Sequence, residues 1–175
     1  YTEGYRELTV AEDEEPIFLF EGIQAVYPEV AALFAGIPER SIFINVMKET
    51  VLVSPDGTER VFAPDDIRLL RRLVRDEAKR GTSPDFTLTL WHSVRDNEVK
   101  SIYPYAGSCD YGIDSNMAFD VHMLAPHLRR IFAEQPCDGL EVEWSARILA
   151  SVEGVEGIDP ACLAENSLYH EFILI

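Results

Sequence analysis

A cysteine and a histidine are the residues of this chain whose types could form a nucleophile and its base. Cys109 lies in the short polar sequence GSCDYG, and His122 follows it along the chain. A histidine that accepts the thiol proton activates a cysteine for attack, so one hypothesis is a small hydrolase or transferase working at residues 106–122. The spacing itself does not pair the two side chains, and an ordinary loop thiol is the simpler interpretation.

Oxygen ligands for a hard cation occur in the same region. Asp110, Asp114 and Asn116 carry the side-chain oxygens that Ca²⁺ and Mg²⁺ prefer, but their spacing does not follow the alternating pattern of a calcium loop. Turn formation or helix capping is the alternative interpretation. His122 and His127 would diverge by about 140° around a helix and so would not share a face. We therefore predict no metal and no other cofactor.

The charge of the chain is strongly negative and unevenly distributed. The 175 residues include 31 acids and 15 lysines and arginines, for a net charge of −16. Residues 1–40 carry −7 and residues 110–175 carry −9, whereas residues 41–109 balance to zero. Such a surface repels nucleic acid and anionic membranes and attracts a basic partner. Plain solubility is the simpler interpretation of the same charge.

Hydropathy and cysteine content indicate the compartment. The longest apolar run, residues 26–37, is far shorter than the ~20 apolar residues of a membrane-spanning helix, and no signal peptide is visible. The three cysteines, Cys109, Cys137 and Cys162, have an irregular spacing that fits neither a disulfide framework nor a zinc site. We expect a cytoplasmic protein that does not bind a membrane.

The strongest helix signal covers residues 64–80. Pro64 suits the first helical position, Asp65 and Asp66 suit the positive N-terminal end, and Gly81 suits the end of the helix. Apolar residues fall on one face and cationic residues on the opposite face. Since like charges four residues apart repel, acids from the terminal thirds of the chain, or an acidic ligand or partner, should lie near the cationic face. This face consists of Arg68, Arg71, Arg72, Arg75 and Lys79.

Alternating apolar residues predict strands along much of the remaining chain. Residues 41–53 and 59–62 predict a hairpin around the turn SPDGT, and residues 86–94 and 99–105 predict a second hairpin. Further strands are predicted at residues 140–152 and 172–175, and helices at residues 28–35, 118–135 and 161–169. Glycine and small polar residues predict a loop at residues 106–116. The predicted fold is α+β, a mostly antiparallel sheet of five or six strands built from hairpins, with three or four helices packed on it. We expect an acidic, flexible arm over residues 1–15 and a single domain over residues 16–175.

The succession of hairpin, helix and hairpin over residues 41–110 ends in aromatic and acidic residues, Tyr103-Pro-Tyr105 and then Asp110-Tyr111. This layout resembles small cytosolic immunity proteins that neutralise bacterial polymorphic or contact-dependent toxins. The resemblance implies a binder whose acidic surface occludes a toxin, often a basic nuclease, and it assigns no site residue.

The leading hypothesis is a non-enzymatic acidic binding protein, most concretely an immunity protein or inhibitor of a bacterial toxin. Carboxylates would steer a basic protein partner, and aromatic side chains would anchor it. A structural or assembly component of a phage or secretion apparatus is a further alternative, and the oligomeric state stays open. The predicted partner-binding residues are Trp91, Tyr105, Asp110, Tyr111, Asp114, Glu141 and Glu143.

Overall fold

The computed structural model describes residues 15–25, 27–37 and 39–173. The chain divides into two compact units, residues 1–39 and residues 40–175. Almost all of the predicted arm at residues 1–15 lies outside the described residues, so it stays a prediction.

The described residues of the first unit contain one short helical segment. Helix α1 (Pro28–Ala31) continues into a 3₁₀ turn, Ala32–Phe34, and the ring centroids of Phe20 and Phe34 lie 4.6 Å apart. Gly36 follows with a φ of 87°, a conformation that favours glycine and ends the helix. The helix predicted to begin at Pro28 is confirmed, although its regular α-helical part is shorter than expected.

The second unit contains most of the regular structure. Its helices are α2 (Pro64–Arg80), α3 (Pro84–Ser101), α4 (Tyr103–Ala106), α5 (Asp120–Glu134) and α6 (Glu141–Ser151). Its strands are β1 (Ile42–Asn45), β2 (Thr50–Val53), β3 (Glu59–Phe62) and β4 (Tyr111–Asp114). The described residues therefore form an α+β fold with six helices and two sheets of two strands each. The predicted sheet of five or six strands is wrong.

Helix α2 is the centre of this unit and has the predicted bounds. The carboxylate of Asp66 accepts a hydrogen bond of 2.8 Å from the Ala63 amide at the N-terminus, and Gly81 ends the helix with a φ of 61°. The helix packs mainly against α5 and α3. Its apolar residues Ile67, Leu70 and Leu73 are almost completely buried, so α2 forms the middle of the hydrophobic core.

The strand predicted at residues 86–94 is part of helix α3. Ser83 caps this helix, because its hydroxyl accepts a hydrogen bond from the Phe86 amide, and Pro84 occupies the first turn. The buried residues Leu88, Trp91 and Glu98 recur at helical spacing. Packing of this face against α2 therefore outweighed the β-propensity of the alternating sequence. The second predicted hairpin is lost with it, because residues 99–105 belong to α3 and α4.

The strand predicted at residues 140–152 is helix α6. Leu140 and Val142, which alternation placed on a buried face, are 91% and 47% exposed. The buried residues are Ser145, Ile148 and Val152, whose spacing of three or four is that of a helix. The helix predicted at residues 161–169 is reduced to two 3₁₀ turns, Pro160–Cys162 and Leu168–Glu171. No strand is present at residues 172–173, and residues 174–175 lie outside the described ranges.

The two sheets differ in their pairing. Strands β2 and β3 form the predicted antiparallel hairpin, in which Val51 pairs with Val61 and Gly57 turns the chain with a φ of 84°. Strands β1 and β4 pair in parallel, with Ile42 opposite Tyr111. The region predicted as one strand at residues 41–53 therefore contributes to both sheets, and the predicted loop at residues 106–116 contains β4.

Helix α5 confirms the helix predicted at residues 118–135 and continues past Pro126. Proline removes the amide that would otherwise donate to the carbonyl of His122. The amide of Ile158 donates to that carbonyl instead, at 3.3 Å, and Nδ1 of His122 donates to the Glu156 carbonyl at 2.8 Å. Between these contacts, Gly157 lies against the Pro126 ring. The segment 156–158 thus replaces the missing hydrogen bond of the helix.

No helix among residues 15–25, 27–37 and 39–173 is long and apolar enough to cross a membrane.

Candidate functional site

The outer face of the β1–β4 sheet is entirely apolar and exposed. Side chains opposite each other in the register lie on one face, so Ile42 and Tyr111 form one pair, and Ile44 and Ile113 form the next. These four side chains are 50%, 57%, 61% and 46% exposed, in that order. Parallel sheets are normally covered on both faces, so this exposure marks a binding surface. We call these four residues the outer face.

The opposite face of the same sheet packs against helix α4. The ring of Phe43 contacts that of Tyr103 edge to face at a centroid distance of 6.4 Å. The Nδ2 of Asn45 donates to the Tyr103 hydroxyl at 3.4 Å. These contacts fix which face of the sheet is turned toward the protein, so the outer face is presented to solvent.

Carboxylates lie at both ends of the sheet. Asp110 accepts hydrogen bonds from the amide and the hydroxyl of Ser41, at 2.8 and 3.0 Å, which lowers the pKa of its carboxyl. Asp114 accepts from the amides of Met47 and Asn116, at 2.9 and 3.0 Å, and these bonds lower its pKa as well. Both groups are therefore ionised at neutral pH, and basic side chains lie near them, Arg40 near Asp110 and Lys48 near Asp114, so each end of the sheet carries both an acid and a base.

The predicted anchors fall on different parts of the molecule. Tyr111 lies on the outer face, whereas Trp91 is 6% exposed and lies in the core between helices. Tyr105 is half-buried in α4. Glu141 accepts a hydrogen bond of 2.8 Å from Thr89, and Glu143 is exposed in the first turn of α6. Of the seven predicted residues, only Asp110, Tyr111 and Asp114 are brought together, on β4 and its flank.

Sequence reasoning missed the three isoleucines of the outer face. The signal was present in the alternation Ile42-Phe43-Ile44, but alternation alone does not reveal which of the two faces is covered. Ile113 lay in a segment predicted as a loop, because Gly112 and the surrounding polar residues favour turns.

The cationic residues at the start of α2 contact acids of the same chain. Arg68 donates to Asp65 at 3.1 Å, to Glu98 of α3, and to the Tyr103 hydroxyl at 2.7 Å. Arg95 of α3 joins the same network, with Asp65 at 2.5 Å and Glu98 at 2.6 Å. This network leaves the guanidinium of Arg68 occupied.

Arg71 forms the most deeply buried ion pair in the described residues. Its Nε and Nη2 donate to the two carboxylate oxygens of Asp120, at 2.8 and 2.7 Å, in a bidentate pair. Tyr169 also donates its hydroxyl to Asp120, and burial together with this carboxylate raises the pKa of Tyr169. Asp120 and Tyr169 are 0% exposed. This cluster joins α2, α5 and the C-terminal region in the core.

The remaining members of the cationic face are only partly occupied. Arg72 lies 3.2 Å from Asp76 one turn along the helix, and Arg75 lies 3.8 Å from Glu171. Lys79 is exposed and has no ion pair among the described residues. Acids from α2 itself, α3, α5 and residue 171 therefore surround the predicted cationic face, which leaves little of it for an external anion.

The pair proposed for nucleophilic catalysis is not joined. The Cys109 thiol lies 3.8 Å from the Tyr105 carbonyl, and the His122 ring is bonded to Glu156. Within the described part of the chain, no hydrogen bond connects Cys109 with His122. The same residues contain no group of three or more His, Cys, Asp or Glu side chains that could hold a metal ion.

A cleft of about 280 Å³ lies among β3, α2, α3 and α6. Trp91 and Trp144 line it together with Asp65, Asp66 and Arg147. Because acidic and basic side chains both line it, the cleft has no single charge preference that would select a ligand.

Comparison with protein-family models, curated proteins and solved structures finds no match for this chain.

Proposed function

We propose that the protein is a non-enzymatic acidic binding protein, and that its outer face, Ile42, Ile44, Tyr111 and Ile113, contacts a basic protein partner. The observation that supports this proposal is an entirely apolar, exposed face on a parallel sheet of a chain with a net charge of −16. Long-range attraction would accelerate encounter, and burial of the outer face would hold the complex.

The outer face would supply part of the binding free energy of such a complex. Full burial of one large aliphatic side chain contributes about 1.5–3 kcal/mol. The four side chains of the outer face are each about half exposed, so covering them contributes several kcal/mol before the costs of association. The most concrete form of the proposal is an inhibitor of a bacterial protein toxin, in which the partner is the toxin.

Two matched aspartate variants test the surface. Ile44 and Val53 are 61% and 60% exposed and lie on different sheets, so Ile44→Asp places a charge on the outer face and Val53→Asp places one outside it. Tagged wild-type protein is expected to co-purify with a stoichiometric basic protein that dissociates as salt rises. Ile44→Asp is expected to lose this protein and Val53→Asp to retain it.

The inhibitor form has its own test. The co-purified protein, expressed alone, is expected to arrest growth, and co-expression of the wild type but not of Ile44→Asp is expected to restore it. Equal recovery of the partner by both aspartate variants, or no stoichiometric partner at all, would show that the outer face is not the binding surface.

A further inference from the structure

Strand β1 has one edge that no strand formed by the described residues covers. It bonds to β4 through Ser41 and Asn45, whose carbonyl oxygens accept amide hydrogen bonds of 3.1 and 2.8 Å. Backbone groups of alternate residues in a strand point to opposite sides, so the N–H and C=O groups of Ile42 and Ile44 point away from β4. Among residues 15–25, 27–37 and 39–173, β4 is the only strand that pairs with β1. These groups are therefore available to another strand.

The outer edge of β4 is less accessible, because the loop after β1 lies beside it. Met47 donates its amide to Asp114 at 2.9 Å, and Asn116 donates its Nδ2 to the Lys48 carbonyl at 3.2 Å. The side chain of Met47 approaches Gly112 so closely that a Cβ at that glycine would lie 3.4 Å from its Cε. A further strand therefore has better access to β1 than to β4.

We infer that the partner adds an extended, basic segment to the free edge of β1 as a third strand. This inference rests on the proposed function and specifies how the partner binds. The backbone groups of Ile42 and Ile44 would supply the hydrogen bonds, as in other cases of strand addition. Apolar side chains at alternate positions of the added segment would extend the outer face and cover its two β1 isoleucines.

Charge complementarity selects a basic segment. The Asp110 carboxylate, bonded to Ser41 at the start of β1, lies near Arg40, so the preference for a basic segment rests on the net charge of −16 and not on this carboxylate. A second copy of this chain is a poorer occupant, because two molecules that each carry −16 repel one another.

The experiment uses the whole protein and a displayed library of random peptides of about ten residues, the upper length of common strands. Selected peptides are expected to alternate apolar residues and to carry more lysine and arginine than acidic residues. Hydrogen exchange of the Ile42 and Ile44 amides, measured by NMR, is expected to slow by about tenfold or more when a peptide binds. The exchange rate of the Gly112 amide, at the other edge of the sheet, is expected to stay unchanged.

A pair of substitutions at Ile44 isolates the backbone donor. Ile44→Pro removes an N–H that β4 does not use, and Ile44→Val keeps this N–H and a similar side chain. Ile44→Pro is expected to weaken peptide binding by at least about tenfold, and Ile44→Val by no more than about twofold. Thermal unfolding of both variants checks that they are folded, and the amide exchange of the wild type tests the inference without any variant.

The outcomes separate this inference from the proposed function. If Ile44→Asp abolishes binding while Ile44→Pro binds normally and the amides are not protected, the partner covers the outer face without adding a strand, and only the inference fails. If neither substitution affects binding, both proposals fail. If Ile44→Pro instead dissociates a homodimer observed by sedimentation, the occupant is a second copy, and the basic partner is wrong.

Discussion

At the scale of single residues, the buried pair of Arg71 and Asp120 dominates the energetics of the core. Arg71 is 6% exposed and Asp120 is 0% exposed, so either residue without the other would be an uncompensated buried charge. Breaking a buried pair by removing one member typically costs about 3–5 kcal/mol, because the other charge stays buried. The pair therefore makes the position of α2 against α5 sensitive to a single substitution.

We expect Asp120→Ala to lower the free energy of unfolding by about 3–5 kcal/mol, measured by urea denaturation. Tyr169→Phe removes only the hydroxyl that donates to the carboxylate and should cost about 1.5–3 kcal/mol. The double variant Arg71→Leu/Asp120→Leu should cost less than the sum of its single changes, because it leaves no unpaired charge. A loss below about 1 kcal/mol for Asp120→Ala would contradict this account.

His127 makes the stability depend on pH. Burial lowers the pKa of its imidazole from 6.5, and the nearby Arg130 lowers it further, while Glu77 acts in the opposite direction. The unfolded chain therefore takes up a proton near pH 6.5 and the folded protein only at lower pH, so stability is lost as pH falls through this interval. Well above pH 6.5 both states are neutral at His127, and the effect vanishes.

His127→Gln should flatten the decrease in the free energy of unfolding between pH 7 and about pH 5, followed by urea denaturation at each pH. His92→Gln, which changes an exposed histidine of α3, is the control for removing an imidazole. Identical pH profiles for His127→Gln and the wild type would show that His127 does not cause the loss.

At the scale of elements, helix α5 depends on a segment far from it in sequence. Residues 156–158 supply the hydrogen bond that Pro126 removes, and Gly157 fits against the proline ring. A Cβ at Gly157 would lie 2.4 Å from the Cγ of Pro126, well inside van der Waals contact. A side chain at this position would therefore push segment 156–158 away from Pro126 and from the His122 carbonyl to which Ile158 donates.

Gly157→Ala is expected to lower the free energy of unfolding by about 1–3 kcal/mol, the usual cost of overpacking. Gly107→Ala is the matched control, because a Cβ there meets nothing within 4 Å, and it should change stability by less than about 0.5 kcal/mol. Adding Pro126→Ala to Gly157→Ala should recover part of the loss. Equal stability of the two single alanine variants would refute the close contact.

The elements also differ in how far the sequence predicts them. The bounds of α2 follow from local signals, Pro64 at its start and Gly81 at its end, so they were predictable. Helix α3 has an equally clear start at Ser83 and Pro84, but the alternation of residues 86–94 predicts a strand. Leu88 and Trp91 pack on α2, and this packing favours the helix over the strand. The local sequence pattern gives no information about this long-range contact.

At the scale of the whole molecule, the candidate site was predictable only in part. Asp110, Tyr111 and Asp114 are predicted from their residue types, because acids beside an aromatic suit a protein interface. The sequence does not predict their neighbours Ile42 and Ile44, since Ser41 and Asp110, which are in contact, are 69 residues apart in sequence. Parallel pairing at such a distance has no local signal, and the exposed face follows only once that pairing is known.

The buried cluster of Arg71, Asp120 and Tyr169 also determines when the core can form during synthesis of the chain. Asp120 follows Arg71 by 49 residues, and Tyr169 follows Asp120 by another 49. At roughly 5–20 residues per second, α2 leaves the ribosome seconds before either partner exists. During that interval the guanidinium group of Arg71 must remain in water, so the face of α2 that carries it cannot be buried in the core. Closure of the core is therefore a late event of biosynthesis, completed when residues 169–172 reach the rest of the protein.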